Sequence, residues 1–274
     1  MKRTAQLLMA FFLVASFDCA VVRGSERYFT YSYEPEAMPQ GVAEFEQWVT
    51  LRAVRDKEVG QEHYNQWELR EEFEYGVTDR YTLSLYLNTV AESFRDSTTH
   101  ADESNFRFDG VSLENRYMVL NPAEHPVGLA LYFEPRYSGE EAELEEKIIV
   151  GQRLGDWKWA ANLIHATEWA DNLHSMEGEL EFSFGITRRL NKRWSLGLEL
   201  RDHNEIPEYK VWENTAIFLG PVVTYTQENW WATLTVLPQL YGTRFSSPDP
   251  DGEVGLELEG HERVNVRLIF GITF

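Results

Sequence analysis

Apolar and polar residues alternate along most of the chain after residue 40. The C-terminal segment ERVNVRLIFGITF shows the pattern most clearly, with every second residue apolar. The apolar side holds Val264, Val266, Leu268, Phe270, Ile272 and Phe274, and the other side holds Arg263, Asn265, Arg267, Ile269, Gly271 and Thr273. A period of two is that of a β-strand with one apolar face. No comparably strong helical period competes, so the sequence predicts an all-β protein.

Twelve strands are predicted, and the connections between them alternate in length. The predicted strands are 42–54, 64–75, 80–94, 105–119, 127–136, 144–153, 157–167, 177–187, 193–203, 213–225, 230–242 and 261–274. Short connections such as 76–80 and 154–157 alternate with longer, more charged ones, of which 243–260 is the longest. An even number of strands with this alternation is typical of outer-membrane barrels, whose short turns face the periplasm.

A soluble β-sandwich is the alternative, because its strands also alternate, with the apolar face packed inward. Two features favour the membrane barrel. The polar faces carry charges in mid-strand, together with many glycines and small residues. The apolar faces are also long enough for a tilted crossing of about 30 Å of hydrocarbon. The predicted fold is therefore a closed antiparallel transmembrane β-barrel of about twelve strands, with short periplasmic turns and longer extracellular loops.

The chain begins with features of a secretory signal peptide. Lys2 and Arg3 precede a short apolar run from Leu7 to Phe17, which is too short to span a membrane as a helix. We expect a signal peptide at 1–24, a periplasmic lead-in at 25–41 and the barrel at 42–274. The only cysteine, Cys19, lies in the signal peptide, so the mature chain is expected to have no disulfide.

Composition narrows the choice of partners. Asp and Glu number 45 against 25 Lys and Arg, which gives a net charge of −20 and argues against nucleic acid. Aromatic residues make up 14% of the chain, more than a disordered acidic chain carries. Several of them stand near strand ends, as in the aromatic girdle of membrane barrels. These are Tyr75, Tyr81, Trp157, Trp159, Trp194, Trp230 and Trp231.

If the apolar faces contact lipid, the polar faces line the barrel interior. The resulting candidates for lining the lumen carry both signs of charge. They are Glu46, Arg52, Arg70, Glu72, Glu134, Arg136, Lys147, Glu179, Glu181, Glu199, Arg201, Arg263 and Arg267. The assignment is less regular at Glu71, which would face lipid, and at Ala216 and Phe218, which would face inward; a bulge or a wrong boundary could explain either.

The C-terminal strand resembles the signature of bacterial outer-membrane barrels, which end in an aromatic residue preceded by apolar residues at every second position. Phe274 fits that ending, and the resemblance implies recognition by the barrel assembly machinery. It also implies a place in the outer membrane, among lipid and lipopolysaccharide. The segment YSYEPEAMPQGVAEFEQWVTLR further resembles the opening of an uncharacterised Gram-negative outer-membrane family, for which no activity is known.

Three functions remain open at this stage, and barrel width decides between the first two. Twelve strands fall between the eight that side chains fill and the sixteen that leave an aqueous pore. The favoured hypothesis is a small pore for ions or small solutes, with a mild preference for cations because acids are in excess. The alternative is a non-conducting structural or binding barrel, in which opposite charges pair and fill the interior.

A hydrolase in the outer loops is the third possibility. The residues that suggest it are His165, Glu168, Asp171, His174, Ser175, Asp202 and His203. Ser175 directly follows His174, so their side chains would point to opposite faces of a strand, and no nucleophile–base pair results. The acidic loops, such as 140–146, match no defined metal-binding spacing. The sequence therefore predicts no catalytic residue, no metal site and no cofactor.

Overall fold

The computed structural model describes residues 26–55, 61–170, 172–245 and 255–274. The predicted signal peptide with Cys19, and Asp171 among the hydrolase candidates, lie outside the described residues. These described residues form twelve strands, as the sequence predicted. They are β1 (Ala43–Ala53), β2 (Gln61–Thr78), β3 (Tyr81–Asp96), β4 (Asp102–Leu120), β5 (Gly128–Tyr137), β6 (Ala142–Leu154), β7 (Trp157–Ala170), β8 (Ser175–Arg189), β9 (Trp194–Pro207), β10 (Asn214–Thr226), β11 (Trp230–Arg244) and β12 (Val264–Thr273).

Every strand pairs antiparallel with its neighbours in sequence, and the sheet closes between β1 and β12. The closing register runs from Glu44 opposite Thr273 to Ala53 opposite Val264. Closure gives every strand a partner on both sides, which a sheet in hydrocarbon requires because lipid offers no hydrogen bonds. The predicted fold class is thus confirmed. The first residue of β1 and the last residue of β12 lie on the side of the barrel that carries the short turns, which we call the turn end. We call the opposite side the loop end.

The apolar faces of the strands point outward. In β12, Leu268 and Phe270 are 41% and 37% exposed, whereas the alternating residues Asn265 and Ile269 are buried. The same alternation runs through the other strands, where inward glutamates such as Glu46 are fully buried and outward leucines are exposed. An apolar surface of this extent suits lipid, and it rules out the soluble β-sandwich, whose apolar faces pack inward.

The irregular positions noted in the sequence have separate explanations. Ala216 and Phe218 do face inward, and a bulge follows Ile217 in the pairing of β10 with β11. They pack with Tyr31 and Leu237 as an apolar cluster inside the barrel. Glu71 lies on the outward face of β2, where the Gln47 side chain donates a hydrogen bond to its carboxylate over 3.2 Å. Among the described residues no helix has the length and apolarity needed to cross a membrane.

One residue of the expected aromatic girdle is placed differently. Trp231 points inward, is 2% exposed, and donates a hydrogen bond from its indole nitrogen to Glu44 over 3.2 Å. Its ring lies against Gly271, where any larger residue would clash with it. Trp157 and Trp194 are exposed on the outer surface, near the turns, as expected.

Candidate functional site in the barrel interior

The N-terminal segment, residues 26–42, lies inside the barrel. This corrects the expectation of a lead-in outside it. The segment leaves β1 at the turn end, where Gly41 adopts a positive φ and its N–H bonds to Gly76. Followed from β1 toward the N-terminus, the segment reaches the middle of the barrel at Tyr33 to Thr30. It then returns toward the turn end, where the Arg27 carbonyl accepts a hydrogen bond from Thr233. Its tyrosines and prolines, which the sequence left without a role, therefore fill the lumen.

Glu199 in the middle of β9 holds the innermost part of the segment. One carboxylate oxygen accepts the backbone N–H groups of Tyr31 and Ser32 over 2.8 and 2.7 Å. The other accepts the backbone N–H of Thr30 over 3.1 Å and the Thr235 hydroxyl over 2.8 Å. Glu199 has no exposed surface. A single buried carboxylate thus satisfies three consecutive N–H groups that have no strand partner.

Side chains of other strands satisfy further backbone groups of the segment. Asn162 in β7 pairs with Tyr33 in both directions, accepting from its N–H over 2.6 Å and donating to its carbonyl over 2.9 Å. The Thr82 hydroxyl accepts the N–H of Met38 over 2.9 Å. Buried backbone groups need such partners, because an unpaired one costs about 1–3 kcal/mol. The segment is therefore held by the barrel wall.

Inward-facing glycines make room for the segment. A Cβ added at Gly185 would lie 2.6 Å from Cγ of the Phe29 ring, and one at Gly128 would lie 2.7 Å from Pro35. A Cβ at Gly151 would also approach Pro35, at 3.0 Å. These distances are shorter than van der Waals contact, so the wall is shaped to the bulky residues of the segment. The small residues seen on the polar faces of the sequence thus serve a crowded interior.

Near the turn end, the Arg27 side chain enters a cluster of buried carboxylates. Its guanidinium lies 3.0 Å from Glu46 and 3.4 Å from Glu72, and stacks over the rings of Tyr33 and Trp48. The indole nitrogen of Trp48 donates to the same two glutamates. Arginine suits such a position because its planar group can pair and stack at once. The segment thereby contributes a second cation to a cluster in which Arg116 of the wall pairs with Glu74 and Glu114.

Two cavities flank the segment. The turn-end cavity has a volume of about 370 Å³ and is lined by Arg27, Tyr28 and Glu34 of the segment, with Arg153 and Lys158 of the wall. The loop-end cavity is larger, at about 530 Å³, and is lined by Tyr31 and Tyr33 of the segment together with charged residues of the surrounding strands. The segment therefore lies between the two cavities.

The loop-end cavity is unevenly charged. On the side formed by β12, β1 and β2 lie Arg267, Arg52 and Arg70, with Glu68 paired to Arg52. The side formed by β6, β7 and β8 is mainly acidic, with Lys147 among Glu143, Glu145, Glu168, Glu177 and Glu179. Over the whole lining, eleven carboxylates face eight arginine and lysine side chains. A small solute in this cavity would meet a strong field with a net negative balance.

The structure divides the predicted lumen residues into groups. Arg52, Arg70, Glu134, Arg136, Lys147, Glu179, Glu181, Arg201 and Arg267 line the loop-end cavity. Glu46, Glu72 and Glu199 lie deeper and hold the N-terminal segment. Arg263 differs: it precedes β12 and is exposed, although its backbone N–H and carbonyl already bond to Ala53 and Gln239 of the neighbouring strands. Phe274 is exposed at the chain end, where its N–H bonds to Ala43.

At the mouth of the loop-end cavity, two histidines meet several carboxylates. His203 of β9 and His261 of the loop before β12 have ring centroids 5.0 Å apart, and both are buried. Nδ1 of His203 lies 3.0 Å from a Glu181 oxygen, and its Nε2 lies 3.5 Å from Glu179. Burial and the neighbouring His203 lower the pKa of His261 well below its ordinary value, so its imidazole is neutral at pH 7.

The loop before β12 folds inward to supply that histidine. Glu257, His261 and Glu262 are all buried, although Glu257 belongs to the longest of the charged connections that the sequence predicted. Burial opposes the ionisation of Glu262, but Arg52 and Arg201 outweigh it and lower its pKa to about 2. His203 and His261 are far apart in sequence and belong to unlike elements, so no spacing in the sequence could have paired them.

Solved structures with the same fold are bacterial outer-membrane barrels. The chain is similar to the COG4313 outer membrane channel from Pseudomonas putida F1, with 13% identity, 90% of this chain and 100% of that chain covered, and a TM-score of 0.58. A weaker likeness links it to the KdgM porin in complex with disordered oligogalacturonate, with 7% identity, 85% and 99% covered, and a TM-score of 0.48. The toluene transporter TbuX of Ralstonia pickettii has 10% identity, 86% and 90% covered, and a TM-score of 0.43.

The protein therefore has the fold of a bacterial outer-membrane β-barrel, as its C-terminal strand suggested. The chain belongs to a family of unknown function, DUF6662, whose model matches residues 21–150 and 144–274. No curated protein matches it.

Proposed function

We propose that the protein is a narrow outer-membrane channel for ions or small charged solutes, in which the N-terminal segment is a plug that limits passage. The charged loop-end cavity carries this proposal. Its open space is lined by charges of both signs; several are paired, as Arg52 is with Glu68 and Lys147 with Glu145, and the carboxylates are in excess. Charged walls around open space select solutes in pores, whereas a purely structural interior is better served by close packing without such space.

The plug is held by non-covalent contacts alone, so it can in principle shift. Apart from the backbone pairing at Gly41, its anchors are side chains of the wall, chiefly Glu199, Asn162 and Thr82. A modest displacement of residues 27–34 would join the two cavities that it now lies between. On this proposal, conductance depends on the position of the segment more than on the barrel diameter.

Planar-bilayer recording of a reversibly locked variant tests the proposal. The double substitution Phe29→Cys and Gly185→Cys suits this purpose because the one native cysteine, Cys19, lies in the predicted signal peptide. A Cβ at Gly185 lies 2.6 Å from Phe29 Cγ, one bond away from the Phe29 Cβ, so the two Cβ atoms are no farther apart than the ~4.5 Å that a disulfide can span. We expect small single-channel currents from the reduced protein, and a marked decrease after oxidation.

Each single-cysteine variant is the matched control and should not respond to oxidant. Equal currents in the reduced and oxidised double variant would remove the plug from the proposal. The absence of current from folded wild-type protein and from the reduced variant would remove the channel itself.

A non-conducting barrel is the second candidate, and the Glu199 contacts favour it. Three charge-assisted hydrogen bonds from consecutive backbone groups make a firm attachment. If the segment is permanently fixed, the barrel would serve as a scaffold that presents its loops outside the cell. The same recordings separate the two candidates, since only a channel passes current.

A further inference from the structure

We propose that the mouth of the loop-end cavity is a binding site for a borderline divalent transition-metal ion, with Zn²⁺ as the best match. The donors are His203, His261 and Glu205. One ligand atom from each lies within 4.8 Å of the other two. This site is independent of whether the barrel conducts.

The donor set suits zinc. Two imidazoles with carboxylates bind Zn²⁺ and its neighbours in the transition series, whereas Ca²⁺ and Mg²⁺ prefer oxygen alone. Ligands around tetrahedral zinc lie about 3.3 Å apart, so the three side chains need to close by roughly 1 Å. A fourth donor is close on either side, because Glu179 lies 3.5 Å from His203 Nε2 and Glu257 lies 3.9 Å from His261 Nε2.

Glu181 orients His203 for this role. Its carboxylate lies 3.0 Å from Nδ1, which Nη2 of Arg201 also approaches at 2.5 Å. Metal binding at Nε2 requires the proton on Nδ1, where Glu181 can accept it and Arg201, which can only donate, must move off that nitrogen. The Nε2 lone pair is then directed toward Glu179 and the other donors. A carboxylate on the far nitrogen is the usual support of a metal-binding histidine. Arg201 donates to the same carboxylate over 2.7 Å and fixes its position. We therefore assign Glu181 as a positioning residue.

The surroundings favour entry of a cation. Glu205 belongs to a second group of close carboxylates with Glu177 and Glu213, which extends the negative patch. His203, Glu205 and His261 line the loop-end cavity, so an ion can reach them from that side. A Cβ at position 260 would lie 3.0 Å from a Glu205 oxygen, and glycine at this position keeps the space beside the donors open. Arg201 is the nearest opposing charge, and Glu181 and Glu262 offset it.

Calorimetric titration of the folded, EDTA-treated full-length barrel with ZnCl₂ tests the site. We expect one Zn²⁺ per chain with micromolar or tighter affinity. His203→Gln or His261→Gln should weaken binding at least 100-fold, and Glu181→Gln about 10–100-fold. The matched control is His125→Gln at the turn end, where the imidazole contacts Asn121 far from the site, and it should bind as the wild type does.

A second measurement uses the unmodified protein, which avoids any folding defect of the variants. Co²⁺ bound at this site should give visible absorption bands, and stoichiometric Zn²⁺ should abolish them. Millimolar Ca²⁺ should leave them unchanged. The proposal is overturned if no bands form, if Ca²⁺ displaces Co²⁺ equally well, or if the double histidine variant still binds Zn²⁺ with wild-type affinity while it shows the heat-dependent gel mobility of a folded barrel.

Discussion

At the residue scale, Glu199 is the most consequential side chain of the interior. Glu199→Gln replaces an acceptor of three backbone N–H groups with an amide that has only one acceptor oxygen. The NH₂ group of the new amide would lie against backbone N–H groups, which are themselves donors. Since a hydrogen bond to a charged group contributes about 1.5–3 kcal/mol, we expect the attachment of the segment to weaken by a few kcal/mol. Limited proteolysis should then cut within residues 26–40 much faster than in the wild type.

The matched control for this change is Glu228→Gln. Glu228 is an exposed residue in a short turn at the turn end, so its substitution should leave the cleavage rate unchanged. Equal protection of the segment in the Glu199 variant would mean that the remaining contacts, such as the Asn162 pair with Tyr33, suffice to hold it.

At the element scale, the fit between Phe29 and Gly185 can be measured as a coupling. Gly185→Ala places a methyl group against the Phe29 ring, and Phe29→Ala leaves a cavity. Each change alone should destabilise, the second by about 3–5 kcal/mol, because a buried aromatic side chain is lost. Together they should cost clearly less than the sum, since the added methyl enters the space that the ring leaves. A double-mutant cycle on unfolding free energy measures this coupling.

Additive costs in that cycle would indicate that the segment relaxes away from β8 without energetic consequence. The pair Gly128 and Pro35 offers an independent cycle at another strand, because a Cβ there would also meet the segment, at 2.7 Å.

The strands were predictable from sequence, whereas the segment was not, and the reason is physical. Each strand buries one face and exposes the other, so polar and apolar residues alternate along it. Residues 26–42 form no strand; their partners are single side chains such as Glu199 and Asn162, which lie more than 100 positions away. Only an indirect signal existed. Phe218 and Ala216 on an inward face, and glycines such as Gly185 among charges, indicated that something fills the lumen.

At the scale of the whole molecule, the outward apolar face defines the membrane contact. Leu163, in the middle of β7, is 49% exposed on this face. Leu163→Arg should destabilise the folded barrel by about 2–4 kcal/mol, because a charge at mid-bilayer is poorly solvated. Met176→Arg, near the loop end of β8, should cost only about 0–1 kcal/mol. Reversible unfolding in lipid vesicles measures both, and equal costs would contradict the lipid assignment.

The net charge of the loop-end cavity determines which ions the proposed channel prefers. Eleven carboxylates against eight arginine and lysine side chains should attract cations. The reversal potential under a KCl gradient, measured on the reduced cysteine variant, should therefore show cation selectivity. The triple change Glu143→Gln, Glu168→Gln and Glu179→Gln removes three carboxylates from one wall and should shift the potential toward anions. Glu124→Gln, in an exposed turn, is the matched control and should leave it unchanged. A triple variant that keeps the wild-type reversal potential would show that current does not pass along this wall, and the charged cavity would then no longer support a conduction path.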